Sequence, residues 1–180
     1  YIVQARFNSE DWSGERLALP ISLDGSIGSA AWNARDVIEA QGWSSGRNIF
    51  TYDPVGEAGK TFTWGAAASA TGLTQAQKDA LDINPDTDAD DDDGEDRLEY
   101  IRGNDAEELK NGGTFRNRTY KLGDFINSAP VYVGVPSFEY PDSMVDTTDE
   151  SDLEETYATL VQSHVDRTPV LYVGGNDGML

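Results

Sequence analysis

The stretch Asp88-Ala89-Asp90-Asp91-Asp92-Asp93-Gly94-Glu95-Asp96-Arg97-Leu98-Glu99 places carboxylates at loop positions 1, 3, 5, 9 and 12. Calcium takes about six to eight oxygen ligands in a flexible geometry, and alternate residues of a tight loop can turn inward to supply them. The set this spacing defines is Asp88, Asp90, Asp92, the backbone carbonyl of Gly94, Asp96 and Glu99, the last able to bind through both oxygens. Three features depart from a paired helix–loop–helix site: Asp93 stands where such a loop wants glycine, Glu95 replaces the usual apolar residue, and Pro85 breaks the incoming helix. The expectation is an isolated Asp-x-Asp-x-Asp calcium loop; the alternative is a solvated acidic insertion without metal.

Other residue types offer less chemistry. Cysteine is absent and His164 is the single histidine, so the chain cannot form a disulfide, a thiolate cluster or a cysteine nucleophile. His164 falls late in an amphipathic stretch and reads as structural. Gly174-Gly175-Asn176-Asp177-Gly178 lacks the Lys-Ser/Thr of a phosphate loop and reads as a hairpin turn. Arg116, Arg118 and Asp124, beside Leu122-Gly123, suggest a buried ion network of structural purpose. Trp12, Trp32, Trp43 and Trp64 suit core packing in a strand-rich fold.

The acidic stretch is one of two. Across 180 residues, 33 Asp and Glu face 13 Lys and Arg, a formal charge of −20. Residues 86–99 hold nine acidic residues against Arg97 alone, and residues 142–155 hold seven with no base. Nucleic acid and anionic lipid are therefore poor partners. A source living in high salt would also explain the excess acid. With 38% hydrophobic and 10% aromatic residues the chain can fold, and no apolar run reaches the roughly 20 residues of a membrane span. The chain begins at Tyr1, which suggests a mature or internal piece of a longer protein.

These residues need elements to hold them. Tyr1–Phe7 reads as a strand, and the alternation of Leu17, Leu19, Ile21 and Leu23 as its hairpin partner, ended by Asp24-Gly25. A helix is expected over Ala30–Gln41, strands over Arg47–Tyr52 and Lys60–Trp64, and a helix from Thr74, with Gln77 completing a capping box and Asn84-Pro85 stopping it. Helical turns over Arg97–Arg102 end at Gly103. Pro130–Val135 and Pro169–Val173 read as apolar strands. Ser151 and Glu154 cap a helix bearing Leu153, Tyr157, Leu160 and Val161 on one face. Met179-Leu180 would begin a strand returning from the glycine-rich turn, so the polypeptide is expected to continue beyond it.

One ordered series stands out: Trp12-Ser13-Gly14, Trp32-Asn33-Ala34, Arg47-Asn48-Ile49-Phe50-Thr51, Tyr100-Ile101-Arg102-Gly103, Arg116-Asn117-Arg118, Leu122 through Gly134, and Tyr172 through Leu180. Together these resemble the C-terminal β-propeller region of the PilC/PilY family of type IV pilus assembly proteins and tip adhesins, from about Trp12 to Leu180. The resemblance implies a mainly β chain with helical insertions, residues 1–180 forming the opening portion of a partial, modified β-propeller with acidic insertions near 84–99 and 142–152. Arg116, Arg118, Gly123, Asp124, Asn176, Asp177 and Gly178 are its structural motif residues.

The resemblance also implies a non-enzymatic protein, extracellular or associated with the outer membrane or pilus tip. Its implied partners are pilins or minor pilins and a surface ligand, its role pilus extension against retraction and attachment, with calcium (Ca2+) tuning in some members. Some members carry Arg-Gly-Asp; here Arg102-Gly103-Asn104-Asp105 lacks that carboxylate, so no integrin role is expected. A quinoprotein-like propeller enzyme and a generic calcium-binding extracellular module are the alternatives.

Overall fold

Strand β2 (Ser13–Leu19) is the central strand of the largest sheet, its backbone paired along both edges. In the computed structural model, which describes residues 1–65, 71–142 and 156–176, β1 (Ile2–Asn8) pairs antiparallel with β2 from Ile2↔Leu19 to Asn8↔Ser13. The short β3 (Trp32–Asn33) pairs with its other edge at Leu17↔Asn33 and Ala18↔Trp32. Leu17 and Ala18 of β2 are buried. The connecting turn is built by side chains: Asp11 Oδ1 accepts from Ser13 N–H at 3.1 Å and from its hydroxyl at 2.7 Å, and Trp12 takes a left-handed φ of 55°.

Strand β2 stops earlier than the period-two pattern predicts. Pro20 has no N–H to continue the ladder. Ile21 makes only an isolated bridge to Ile27, and Leu23 is fully exposed in a turn. Helix α1 (Ala34–Ala40) begins four residues later than expected, because Asn33 ends β3 and caps the helix, its Oδ1 accepting from Arg35 N–H at 3.1 Å. Strands β4 (Phe50–Asp53) and β5 (Ala58–Thr61) form a hairpin. Helix α2 (Gln75–Asp82) has the expected capping box: Thr74 Oγ1 accepts from Gln77 N–H, and Gln77 Oε1 accepts from Thr74 N–H at 2.9 Å. Helix α3 (Gly94–Arg102) runs to Gly103, whose φ of 109° only glycine adopts freely. It starts three residues before the expected Arg97, and Glu95 and Asp96 in its first turn suit the helix dipole.

The chain divides into two units, Tyr1–Gly123 and Asp124–Leu180. In the second, β6 (Val131–Val133) pairs antiparallel with β7 (Val170–Tyr172). Helix α4 (Tyr157–Ser163) is capped by Thr156. The edge of Tyr157 meets the Tyr140 ring at 5.3 Å, and its hydroxyl accepts from Phe138 N–H. His164 Nδ1 lies 2.9 Å from Leu160 O at the helix end, a local structural position. The capping box at Ser151 and Glu154, Leu153 on the helix face, most of the 142–155 acidic stretch and the strand at Met179-Leu180 lie outside the described residues.

Helix and strand take near-equal shares of the described residues. The mainly β expectation is thereby corrected to a mixed architecture of small open antiparallel sheets, the largest with three strands. Among the described residues no sheet closes into a barrel or reaches the four strands of a propeller blade. The physical reason is local: Pro20 ends β2 where a longer strand was expected, and Asn33 ends β3 by capping a helix. Trp12 and Trp32, expected in the core, are half exposed, because one sits in a turn and the other on a sheet edge.

Candidate functional site

The acidic loop runs from α2 to α3, and Asp82 at the end of α2 holds its far end. The Asp82 backbone carbonyl accepts from Asp91 N–H at 3.0 Å, and its Oδ1 accepts from Gly94 N–H at 2.9 Å. Between these points the loop folds on its own side chains. Asn84 Oδ1 accepts from Asp86 N–H, Asp90 Oδ1 from Asp92 N–H and Asp91 Oδ1 from Asp93 N–H. Asp88 and Asp92 take left-handed φ values of 56° and 58°, which short polar side chains tolerate.

The carboxylate that organises the loop is Asp91, which the Asp-x-Asp-x-Asp spacing passes over. Arg97 Nη1 donates to Asp91 Oδ1 at 2.6 Å and to Leu81 O at 2.9 Å, and Asn84 Nδ2 donates to Asp91 Oδ2 at 2.9 Å. The Arg97 guanidinium holds the Asp91 carboxyl far below the ordinary carboxylate range, and Asp91 in turn raises Arg97. One base among nine acids is a weak sequence signal, yet its six-residue offset from Asp91 carries it across the first turn of α3 back to the loop.

The residues expected to ligate calcium do not converge in this arrangement. Among the described residues there is no group of three or more His, Cys, Asp or Glu side chains placed to hold one metal ion. Asp90 is turned onto its own backbone. Asp96 is exposed on α3, while Glu99 accepts from Asn104 Nδ2 at 2.8 Å and so braces the end of the helix. Gly94 is buried, and a Cβ there would lie 2.9 Å from Asp82 N and 2.8 Å from the Trp64 ring. Its observed role is close packing of α3 on α2. As drawn, this set does not fit the ion.

A second cluster gathers around Glu108, 1% exposed. Arg118 donates to it twice, from its backbone N–H at 3.0 Å and from Nε at 2.9 Å, and Lys110 Nζ lies 3.0 Å away. Burial alone would raise the Glu108 carboxyl, but these donors outweigh burial and hold it below its ordinary value. The rest of the Arg118 guanidinium donates to Tyr100 O at 2.6 Å and Asn104 O at 2.8 Å, and its carbon sits 3.6 Å over the Tyr100 ring. Arg116 is exposed and receives the Tyr100 hydroxyl on its carbonyl at 3.0 Å. The expected Arg116–Arg118–Asp124 network is therefore redrawn. Glu108 is the carboxylate holding Arg118, whereas Asp124, buried in the second unit, accepts from Asn176 Nδ2 at 2.7 Å and from Asn176 N–H at 3.1 Å. Asp177 and Gly178 lie outside the described residues.

The remaining motif residues brace the backbone in the same way. Asn33 Nδ2 donates to Glu15, which also pairs with Arg35 at 2.9 Å. Arg47 donates to Arg102 O, and buried Arg102 donates to Phe62 O at 2.7 Å. Arg102 is thus withheld from display in the Arg102-Gly103-Asn104-Asp105 turn. Gly123 bridges Ser13, and Gly14 N–H donates to Leu122 O at 3.0 Å, which fixes the start of β2. Buried Lys78 donates to Gly65 O at 2.7 Å beside Trp64, a contact the capping signals of α2 do not reveal. Chemically the two clusters are charge networks spent on holding chain segments together.

Comparison with known proteins finds curated relatives. The chain is 31% identical over 185 aligned residues to type IV pilus biogenesis factor PilY1 of Pseudomonas aeruginosa strain PAK, covering all of this chain and 15% of that protein. The chain is PilY1-like over its whole length. The PilY1 of P. aeruginosa strain PAO1 matches to the same extent, and a PilY1 homolog of Xylella fastidiosa is 37% identical over 84 residues, 47% of this chain and 6% of that protein. The chain thus spans about 15% of the length of the P. aeruginosa PilY1 proteins it matches. No family model and no solved structure matches it. Among the described residues no helix is long and apolar enough to cross a membrane.

Proposed function

We propose that this PilY1-like chain is a non-enzymatic structural segment of a type IV pilus biogenesis factor, associated with the pilus at the cell envelope. The observation that carries this reading is the end-to-end similarity to two PilY1 proteins named as biogenesis factors. The geometry supports it, because the motif residues Asn33, Arg47, Arg102, Arg118 and Asp124 are engaged in buried bracing rather than gathered at one reacting point.

In the finer form of the reading, the segment contributes strands to a modified β-propeller, displayed with the rest of its protein at the pilus tip or cell surface. There it works with pilins or minor pilins, supports extension against retraction and aids attachment. Apolar surface supports the propeller component: Phe50, Val131 and Tyr132 stand 71%, 58% and 67% exposed on strands of small sheets, and such faces are stable when further strands cover them. The test is whether surface pili, absent from a strain lacking the gene, return with the intact gene and fail to return when this segment is unfolded by substitution.

Calcium enters the proposal only through the 88–99 spacing, and it requires the loop to leave the arrangement described above. Comparison of the chain's melting curves in EDTA and in millimolar calcium decides it. A loop that closes on an ion raises the melting temperature in calcium and loses the rise in the Asp88→Asn/Asp90→Asn variant. Superimposable curves remove calcium from the account.

A further inference from the structure

A groove on the first unit, about 440 Å³ in volume, borders the bracing networks, with Asn84, Arg97 and Tyr100 in its wall. Leu81, Ile101 and Phe115 make its lining apolar, and Asp86 and Asp93 stand at its rim. Its one lining cation is Arg97, which is spent on Asp91. The rim belongs to the acidic loop, whose neighbouring carboxylates add to the same negative field.

The two features select an occupant together. A metal ion would use the acids and ignore the apolar wall, and a neutral apolar molecule would do the reverse. A second copy of this chain would bring another −20 charges against the loop. We propose that the groove receives one apolar or aromatic side chain from a basic segment of a partner protein, with flanking Lys or Arg residues paired to the acidic rim. The volume admits a large anchor side chain with room to spare, and recognition by a buried anchor within a charged rim is a common division of labour at protein interfaces.

The test uses the 180-residue chain and three capped hexapeptides in calorimetric titration at low ionic strength. One carries lysines around a central Leu-Phe pair, one glutamates around the same pair, and one lysines around Ser-Gly. The first is expected to bind saturably and the other two to bind at least about tenfold more weakly. Ile101 is 38% exposed, so its replacement is expected to leave the fold intact. Ile101→Lys is expected to weaken the lysine/Leu-Phe peptide by about tenfold, and Asp86→Asn/Asp93→Asn by about threefold, with circular dichroism melts unchanged. Equal binding by the Ser-Gly peptide, or by Ile101→Lys, would reduce the effect to bulk charge attraction and overturn the proposal. Absence of saturable binding would overturn it too, as would self-association of the parent chain in sedimentation that Ile101→Lys abolishes. The proposal does not rest on the pilus reading, and its failure leaves that reading where it stands.

Discussion

Glu108→Ala is expected to destabilise the first unit by about 3–5 kcal/mol, the cost of removing one partner from a buried ion pair and leaving the other unpaired. Glu108 is nearly inaccessible and accepts from Arg118 through both carboxylate oxygens, with Lys110 on one of them. Without it the Arg118 guanidinium keeps its bonds to Tyr100 O and Asn104 O but loses its counter-charge. For a unit of this size the melting temperature should fall by about 10 °C or more. A fall under about 2 °C would show that Arg118 finds another partner at little cost.

The same carboxylate sets a pH dependence. Its pKa is lowered in the folded state, so its contribution is fully present above the unfolded-state value and is lost as pH falls toward the folded value. Asp91, also lowered, acts in the same sense. Stability should therefore decline on acidification below roughly pH 5. Glu108→Gln, which keeps the shape and removes the charge, should flatten that decline while lowering stability at neutral pH. An unchanged acid limb in Glu108→Gln would remove Glu108 from the linkage.

Gly94→Ala is the second large effect expected, about 1–3 kcal/mol of destabilisation from overpacking. Alanine is the better helix former, by up to about 1 kcal/mol within a helix interior. Here the added methyl meets the Asp82 backbone nitrogen at 2.9 Å and the Trp64 ring at 2.8 Å, and the nearest atom of all is the Asp82 carboxylate that holds the loop. The clash outweighs the propensity gain, because relief requires α3 to move away from α2 and release the Gly94–Asp82 bond. Thermal melts and amide exchange at Asp91–Asp93 report it: exchange there should rise more than in β1 or β2. A neutral or stabilised Gly94→Ala would mean that the helices separate freely, and the loop would lose its pinned character.

Local chemistry was legible in the sequence where a single residue decides the outcome. The Thr74/Gln77 capping box, the Gly103 helix end and the β1–β2 pairing followed from residue type and period. Strand and helix limits set by competition were less legible: Asn33 serves β3 and caps α1, and Pro20 cuts an alternation that would otherwise run to Leu23. The pairing of β6 with β7 was hidden, since nothing in Val131–Val133 names a partner some forty residues away. In the site, spacing placed the loop but did not single out the carboxylates that tie it to its neighbours. Asp91 and Glu108 matter because Arg97 and Arg118 reach them in space, and one acid among many carries no mark of that. The resemblance fared better, because several of its residues, Asn33, Arg47, Arg102, Arg118 and Asp124, are ones the fold uses for bracing.

Counting surface pili tests the central proposal most directly: that this PilY1-like segment, in its folded form, is needed for surface pili to persist while retraction operates. The comparison is made by electron microscopy in a strain that lacks the gene and is complemented with the full-length protein, either parent or Glu108→Ala, in backgrounds with and without pilus retraction. The account predicts that the parent restores pili, that Glu108→Ala leaves the cells bare at a growth temperature above the unit's lowered melting point, and that abolishing retraction returns pili to the Glu108→Ala cells. Normal pilus numbers with Glu108→Ala, at matched protein levels and with the unit shown to be unfolded, would contradict it.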